Sequence, residues 1–256
     1  MANNSRRNRW VQAAGAVLLL AAAGPGERGR AEVPKVSPFK EPLALMHRAR
    51  EAYAKVDDYT CLLIKREKLG DRMSPDHVID MKVRKSPFSV AMKWQQPKNL
   101  AGQEAYYVAG LHGGKMRGKP AGLLGAIGYL TIPVDDARAK KTARHPITSA
   151  GIGHAIEEAV RHWEADLKSG AGATVKIGTY TYAKRKCTRL EISYPEKGTR
   201  NYAKNIFYFD QATHLPIRVE NFAWPAKAGD APELVEVYSY VNMRLNVGLT
   251  DATFNK

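Results

Sequence analysis

One stretch of this chain, Arg144 to Gly170, carries so complete a helical pattern that it constrains how everything around it must fold. Ile152, Ala155, Ile156, Ala159, Val160, Trp163 and Leu167 recur at three- and four-residue steps, which stacks them on one helix face. Thr148 or Ser149 suits the N-cap, where a side-chain oxygen takes up a free backbone N–H, and Gly170 suits the left-handed stop. Nearly all the sequence around this helix reads as strand. A lone amphipathic helix among strands must bury its stripe on a sheet, and the closeness of that fit separates ordinary core from a ligand cavity.

The chain before this helix alternates. After a first helix with Pro42 in its opening turn and Leu43, Met46, Ala49, Tyr53 and Val56 along one face, Asp57 and Asp58 end the helical pattern. The period then changes to two: Tyr59, Cys61 and Leu63 face one way, and Thr60, Leu62 and Ile64 the other. Ile79, Met81 and Val83, and then Phe88, Val90, Met92 and Trp94, repeat the pattern between turn signals, as in an antiparallel meander. Segments 103–108 and 115–117 form a further hairpin.

Gly118 to Ile132 breaks the rule. It holds Leu123, Leu124, Ile127, Tyr129 and Leu130 among four glycines with neither period, and reads as a buried irregular loop or as an apolar flap at a cavity mouth. Beyond the central helix five more strand patterns follow: 174–182, 187–194, 202–210, 216–224 and 234–245. Leu249 and Phe254 suit a terminal plug over an open sheet edge. Nine to eleven strands with two main helices make an α+β domain, a large antiparallel sheet with helices gathered on one face.

The first 23 residues carry Arg6, Arg7 and Arg9, an apolar run from Val11, no acidic residue, and Ala21 and Ala23 in cleavage-site positions, which predicts a secretory signal peptide. A flexible leader over 24–38 and a single domain over 39–256 complete the expected organisation, with a periplasmic location and no stable membrane insertion after cleavage. Export places Cys61 and Cys187 where oxidation is permitted; a disulfide between them would contribute up to about 4–5 kcal/mol, the alternative being two separate buried thiols. The net charge is +15, or +12 without the three early arginines, and favours acidic surfaces. The basic residues are spread over many strands, and an exported protein meets lipid and cell wall before DNA, so no nucleic-acid partner is expected.

Enzyme signatures are missing: there is no H-E-x-x-H, C-x-x-C, G-x-S-x-G or phosphate-loop pattern, so the chain reads as non-enzymatic, with no catalytic residue, cofactor or metal. His154, Glu158 and His162 share one side of the central helix at ligand spacing, but away from the apolar stripe, and read as a solvated face. Arg144 and His145 are the best polar candidates. Pro146 holds His145 extended just ahead of a helix N-terminus, where the pair suits an anionic headgroup, unless His145 only fixes the angle at which the chain enters the helix.

The run Phe209-Asp210-Gln211-Ala212-Thr213-His214-Leu215-Pro216 resembles the D-x-x-T-x-L-P hairpin of the periplasmic outer-membrane lipoprotein carrier (LolA-like) superfamily. Tyr59-Thr60-Cys61 with Lys65-x-Glu67, Ser86 to Val90, Gly122 to Gly125, Arg144 to Thr148 and Asn246 to Asp251 more closely resemble an uncharacterised bacterial domain-of-unknown-function family in or near it. The resemblance implies a strongly curved antiparallel half-barrel whose concave apolar face is covered by helices, with a lipid or lipoprotein acyl chain held between sheet and helical lid. Trp94, Leu123, Leu124, Ile127, Ile156 and Trp163 are the expected lining, and Arg144 with His145 the polar rim. The alternative is an envelope protein-interaction or stress-sensing module of the same fold, with an envelope protein as partner and no bound ligand.

Overall fold

The period-two segments pair in chain order on either side of one seam. In the computed structural model, which describes residues 37–137, 142–227 and 229–256, helix α1 (Lys40–Ala54) leads into β1 (Asp58–Leu69), β2 (Arg72–Met73), β3 (His77–Arg84), β4 (Ser89–Gln96), β5 (Glu104–Val108), β6 (Met116–Lys119) and β7 (Leu130–Ile132). Helix α2 (Ile152–Ser169) follows, then β8 (Thr174–Tyr182), β9 (Arg185–Ser193), β10 (Lys204–Asp210), β11 (Pro216–Ala223), β12 (Glu233–Leu245) and the one-turn α3 (Asp251–Phe254). The twelve strands form one antiparallel sheet in the order β7-β6-β5-β4-β3-β1-β12-β11-β10-β9-β8, with β2 paired to the end of β1. It is an open, curved sheet with helices, the α+β half-barrel class expected. The predicted signal peptide over 1–23 and the leader as far as residue 36 lie outside the described residues.

Strand alternation and register assign the two sheet faces. Tyr59, Cys61 and Leu63 of β1 lie beside Ile79, Met81 and Val83 of β3 and join Val90, Ile152 and Tyr240 in one buried cluster. Leu190 and Ile192 of β9, Phe207 and Phe209 of β10 and Val219 of β11 continue this inner face and take up α1 and α2 through Leu43, Met46, Ala49, Ile156, Val160 and Trp163. Each of these large apolar side chains contributes about 1.5–3 kcal/mol on burial. The outer face carries Cys187, Ile206, Tyr208 and Ile217 in a separate cluster.

Several details depart from the sequence reading. The helix begins at Ile152 behind Gly151 (φ 97°), with no side-chain cap, because residues 147–149 form a separate 3-10 turn. The free N–H of Ile152 donates instead to the Tyr59 hydroxyl at 3.1 Å, so a strand residue replaces the predicted Thr148 or Ser149 cap. The stripe ends at Trp163. Leu167 is exposed, and Asp166 is buried in the last turn, where it accepts from Arg200 (2.6 Å) and Tyr194 (2.9 Å). The C-terminal plug also sits elsewhere: Phe254 packs with Ala91, Tyr106 and Val108 on the outer face of β4 and β5, not on a sheet edge.

The expected Cys61–Cys187 disulfide is not formed; both are free thiols. Cys61 belongs to the inner cluster on β1 and Cys187 to the outer cluster on β9, four strands away in the sheet order. At about 4.8 Å per strand that separation far exceeds the reach of a disulfide. Burial pushes the Cys61 thiol up to about 12, as expected of an inert core cysteine.

Candidate functional site

The inner face changes character at one end. Continuing the alternation of Tyr59, Cys61 and Leu63 along β1 brings Lys65 and Glu67 onto the same face, opposite Tyr238 and Glu236 of β12. His77 of β3 stands beside Lys65, and Asn221 of β11 beside Glu236. A charged patch therefore prolongs an apolar surface, and its carboxylates are deeply buried: Glu67 is 2% and Glu236 1% exposed. Buried charges of this kind persist only when paired and hydrogen-bonded.

Both carboxylates are fully engaged. Glu236 Oε1 accepts from Tyr202 Oη and Asn221 Nδ2, each at 2.6 Å. Its Oε2 accepts from Arg144 Nε at 3.0 Å and meets His145 Nε2 at 2.9 Å. Glu67 Oε2 accepts from Lys65 Nζ at 2.8 Å and from the Arg144 backbone N–H at 3.3 Å, while its Oε1 accepts from Tyr238 Oη at 2.6 Å. Tyr238 also lies 3.3 Å from Glu236 Oε2, linking the two acids, and Arg144 Nη1 donates to the Lys68 carbonyl at 3.0 Å.

Arg144 and His145 are thus the segment that closes this end of the inner face, clamped onto β1 and β12 just before the chain turns into α2. Pro146 holds an extended backbone (φ −67°, ψ 157°), and the 3-10 turn at 147–149 follows. The contacts set the proton affinities. Burial pushes the Glu236 carboxyl up, but the hydrogen bond and charge of His145, with Tyr202 and Asn221, outweigh it and hold the group at about 2. The hydrogen bond to Glu236 raises the His145 imidazole above its ordinary value against burial. Burial and the Lys65 ammonium lower His77, whose Nδ1 accepts the Trp94 indole N–H at 3.3 Å.

The predicted lining residues do not converge. Ile156 and Trp163 are 0% and 2% exposed and pack closely on β9, β10 and β11, the tight fit that marks ordinary core. Leu123, Leu124 and Ile127 lie in a 3-10 turn, Gly122–Ile127, between β6 and β7 at the far end of the sheet, seven strands from the β10 position beneath Trp163. They are 96%, 65% and 64% exposed, which overturns the reading of this stretch as a buried loop. Trp94 stands apart from both groups, half-buried on the inner face of β4 beside the polar cluster.

Beyond the helices the inner face is only partly covered. Met92 and Trp94 of β4 are half-buried, as are Ala105 and Tyr107 of β5, which lie opposite Met92 and Val90. With Phe88, whose ring centroid is 6.2 Å from that of Tyr107, they form an apolar strip that ends at the Trp94–His77 hydrogen bond. Two other clefts, of about 110 Å³ beside Leu45 and Phe209 and about 220 Å³ beside Ile217 and Tyr240, include none of the predicted lining residues. His154, Glu158 and His162 are solvated as expected, with Glu158 paired to Arg161 at 2.7 Å. No cluster suited to a metal ion occurs among the described residues.

Glu67 and Glu236 were missed by sequence reasoning, because charged residues in a strand are normally read as solvent-facing. The alternation of β1 held the signal: Lys65 and Glu67 are in phase with Tyr59, Cys61 and Leu63.

Comparison with known proteins adds one family. Residues 56–256 match the model of a family described as protein of unknown function, DUF1571. No curated protein matches the chain. Among solved structures the fold is similar to an uncharacterized conserved protein from Thermus thermophilus, at 8% identity and a TM-score of 0.47, covering 85% of this chain and 94% of that one. It is also similar to the Mycobacterium tuberculosis lipoprotein LppX, at 13% identity and 0.46, covering 81% and 96%. A third is a LolA superfamily protein from Nitrosomonas europaea, at 13% identity and 0.33, covering 83% and 96%.

Proposed function

The chain belongs to the DUF1571 family, and from that premise we propose that it is an exported, non-enzymatic binding protein for a lipid or lipoprotein acyl chain. The apolar part of the ligand lies along the half-covered strip of β4 and β5, against Trp94, Met92 and Tyr107, and its polar end meets Arg144 and His145. The observation that carries this reading is the change of chemistry along one continuous sheet face: apolar and incompletely covered over β4 and β5, then charged where the 144–145 segment is clamped. An amphiphile matches that order, because an alkyl chain gains about 25 cal/mol per Å² on burial while its headgroup needs donors.

The clamp also gives a means of opening. It is polar, and the Arg144 and His145 side chains are 32% and 45% exposed, so water can take over their contacts once the segment lifts from the buried Glu236, as water cannot for apolar packing. Release of the clamp would free the segment leading into α2, and Ile156 and Trp163 would line the enlarged space only in that lifted state. The close packing of those two residues supports a second reading, an envelope protein-interaction or stress-sensing module that holds no ligand.

Mass spectrometry of organic extracts from protein purified out of the envelope, followed by uptake of a fluorescent fatty acid by the delipidated protein, separates the two. The binding reading expects a stoichiometric acyl lipid, and uptake weakened by Trp94→Ala. No extracted lipid together with no uptake overturns it.

A further inference from the structure

The 3-10 turn Gly122–Ile127 presents its apolar side chains outward and holds them there. Leu123 is 96% exposed, Leu124 65% and Ile127 64%, with Leu130 of β7 beside them at 39%. Exposed apolar side chains are common singly, but four within eight residues form a patch. The turn is anchored as well. Tyr129 Oη donates to Glu104 Oε2 at 2.7 Å, beside the Tyr106 hydroxyl that donates to the same oxygen at 2.6 Å. The Lys119 ammonium lies 5.8 Å from the Tyr129 ring centroid, and a Cβ at Gly125 would come within 2.9 Å of the Pro120 carbonyl oxygen. Gly122 and Gly128, at φ 61° and 85°, bracket the turn in conformations that other residues rarely adopt.

The exposed charge nearest the patch is basic, and the one carboxylate beside it, Glu104, is largely buried. From Ala105 to Val134 the chain contains no acidic residue, but it contains His112, Lys115, Arg117 and Lys119. Lys119 ends β6 next to the turn, opposite Glu104, whose carboxylate accepts from the two tyrosines and is shared electrostatically by Lys93 and Lys119. Lys98, exposed in the β4–β5 connection, stands at the same end of the sheet, because β5 starts opposite the end of β6.

We infer that this end of the sheet docks on an anionic lipid surface: Leu123, Leu124 and Ile127 enter the interface between headgroups and acyl chains, and Lys98 and Lys119 pair with the headgroups. The charge complementarity favours lipid over a second copy of this chain, whose own patch would bring the same positive charges face to face. An anchored turn also loses little conformational freedom when it inserts, so apolar burial and headgroup attraction add with little opposing cost. The inference stands on the β6–β7 turn with Lys98 at the same end of the sheet and does not require a ligand on β4 and β5.

The test places an environment-sensitive fluorophore at Leu124→Cys in the full chain, where Cys61 and Cys187 are buried and leave the new thiol as the accessible one. The probe reads the patch itself, whatever the N-terminal segment does. Vesicles of phosphatidylcholine with phosphatidylglycerol shift the emission to the blue, and phosphatidylcholine alone does not. Adding Leu123→Asp weakens the response at least about tenfold, as does Lys98→Glu with Lys119→Glu. No shift with anionic vesicles overturns the inference. So does a shift of equal size with phosphatidylcholine vesicles, or one that grows with protein concentration in the absence of lipid, which would identify a second copy as the occupant.

Discussion

Replacing Glu236 by glutamine tests the clamp most directly, because it preserves size and removes only the charge. The fall of this carboxyl from 4.5 to about 2 means that folding favours its ionised form by about 3 kcal/mol at neutral pH. With the side chain only 1% exposed, solvent screening does little to reduce that figure. The amide also turns one oxygen into an NH2 group beside Arg144, His145, Tyr202 or Asn221, all of which donate to the native carboxylate, so at least one donor loses its acceptor. Glu236→Gln is therefore expected to cost about 3–4 kcal/mol in urea unfolding at pH 6, within the range for breaking one side of a buried ion pair. The sign of the pH dependence follows: a depressed carboxyl stabilises the fold above its unfolded value, and that contribution is lost as pH falls through about 2. The difference between wild type and variant should shrink progressively as pH falls from about 4.5 toward 2. A loss below about 1 kcal/mol at pH 6, or two pH profiles that run parallel below 4.5, refutes the assignment.

The imidazole acts on the opposite limb. A raised His145 value stabilises the fold fully below its unfolded value of 6.5, and the contribution disappears as pH rises through the higher folded value, so His145→Ala should flatten the decline seen in wild type above pH 6.5 in the same titration. Gly153→Ala, in the first turn of α2, drives a methyl group into the Tyr53 ring of α1 and should cost about 1–3 kcal/mol in thermal or urea unfolding, largely restored by Tyr53→Leu. Because Cys61 and Cys187 are buried thiols on opposite faces, a thiol-reactive dye should report two groups after denaturation and almost none before, and a reductant should leave the melting temperature unchanged.

Much of the fold was legible in the sequence because local pattern and burial agree. The Ile152 to Trp163 stripe and the alternation of Tyr59, Cys61 and Leu63 each report a face that is in fact buried. Asp210 shows why the D-x-x-T hairpin was readable as well: its carboxylate accepts from Arg185, from Thr213 at 2.8 Å and from the Ala212 N–H at 3.3 Å, tying the turn between β10 and β11. Several failures share one cause, that a residue's partners lie far away in the chain. The cap of α2 comes from Tyr59, the partner of Asp166 from Arg200, and the acids beneath Arg144 from β1 and β12. Sequence reading singled out Arg144, His145 and Trp94, which lie in or beside the polar cluster, but not the carboxylates that Arg144 and His145 contact. The apolar turn at 122–127 was read as covered because apolar content normally demands cover, a rule that a surface built to meet something apolar does not obey.

The seam between β1 and β12 has a consequence for assembly. Each half of the sheet, β1 to β7 and β8 to β12, is a run of neighbouring hairpins that zips by short loop closures, whereas the seam joins Tyr59 to Leu245 and Glu67 to Glu236 across most of the chain. Pairings so distant are slow, since the entropy of closing a long loop is lost before any contact rewards it. A chain that has not yet delivered β12 can hold two meanders but no continuous inner face, and offers Arg144 only Glu67 and the Lys68 carbonyl of β1, without Glu236. The clamp is therefore complete only once the seam has paired and brought Glu236 opposite Glu67.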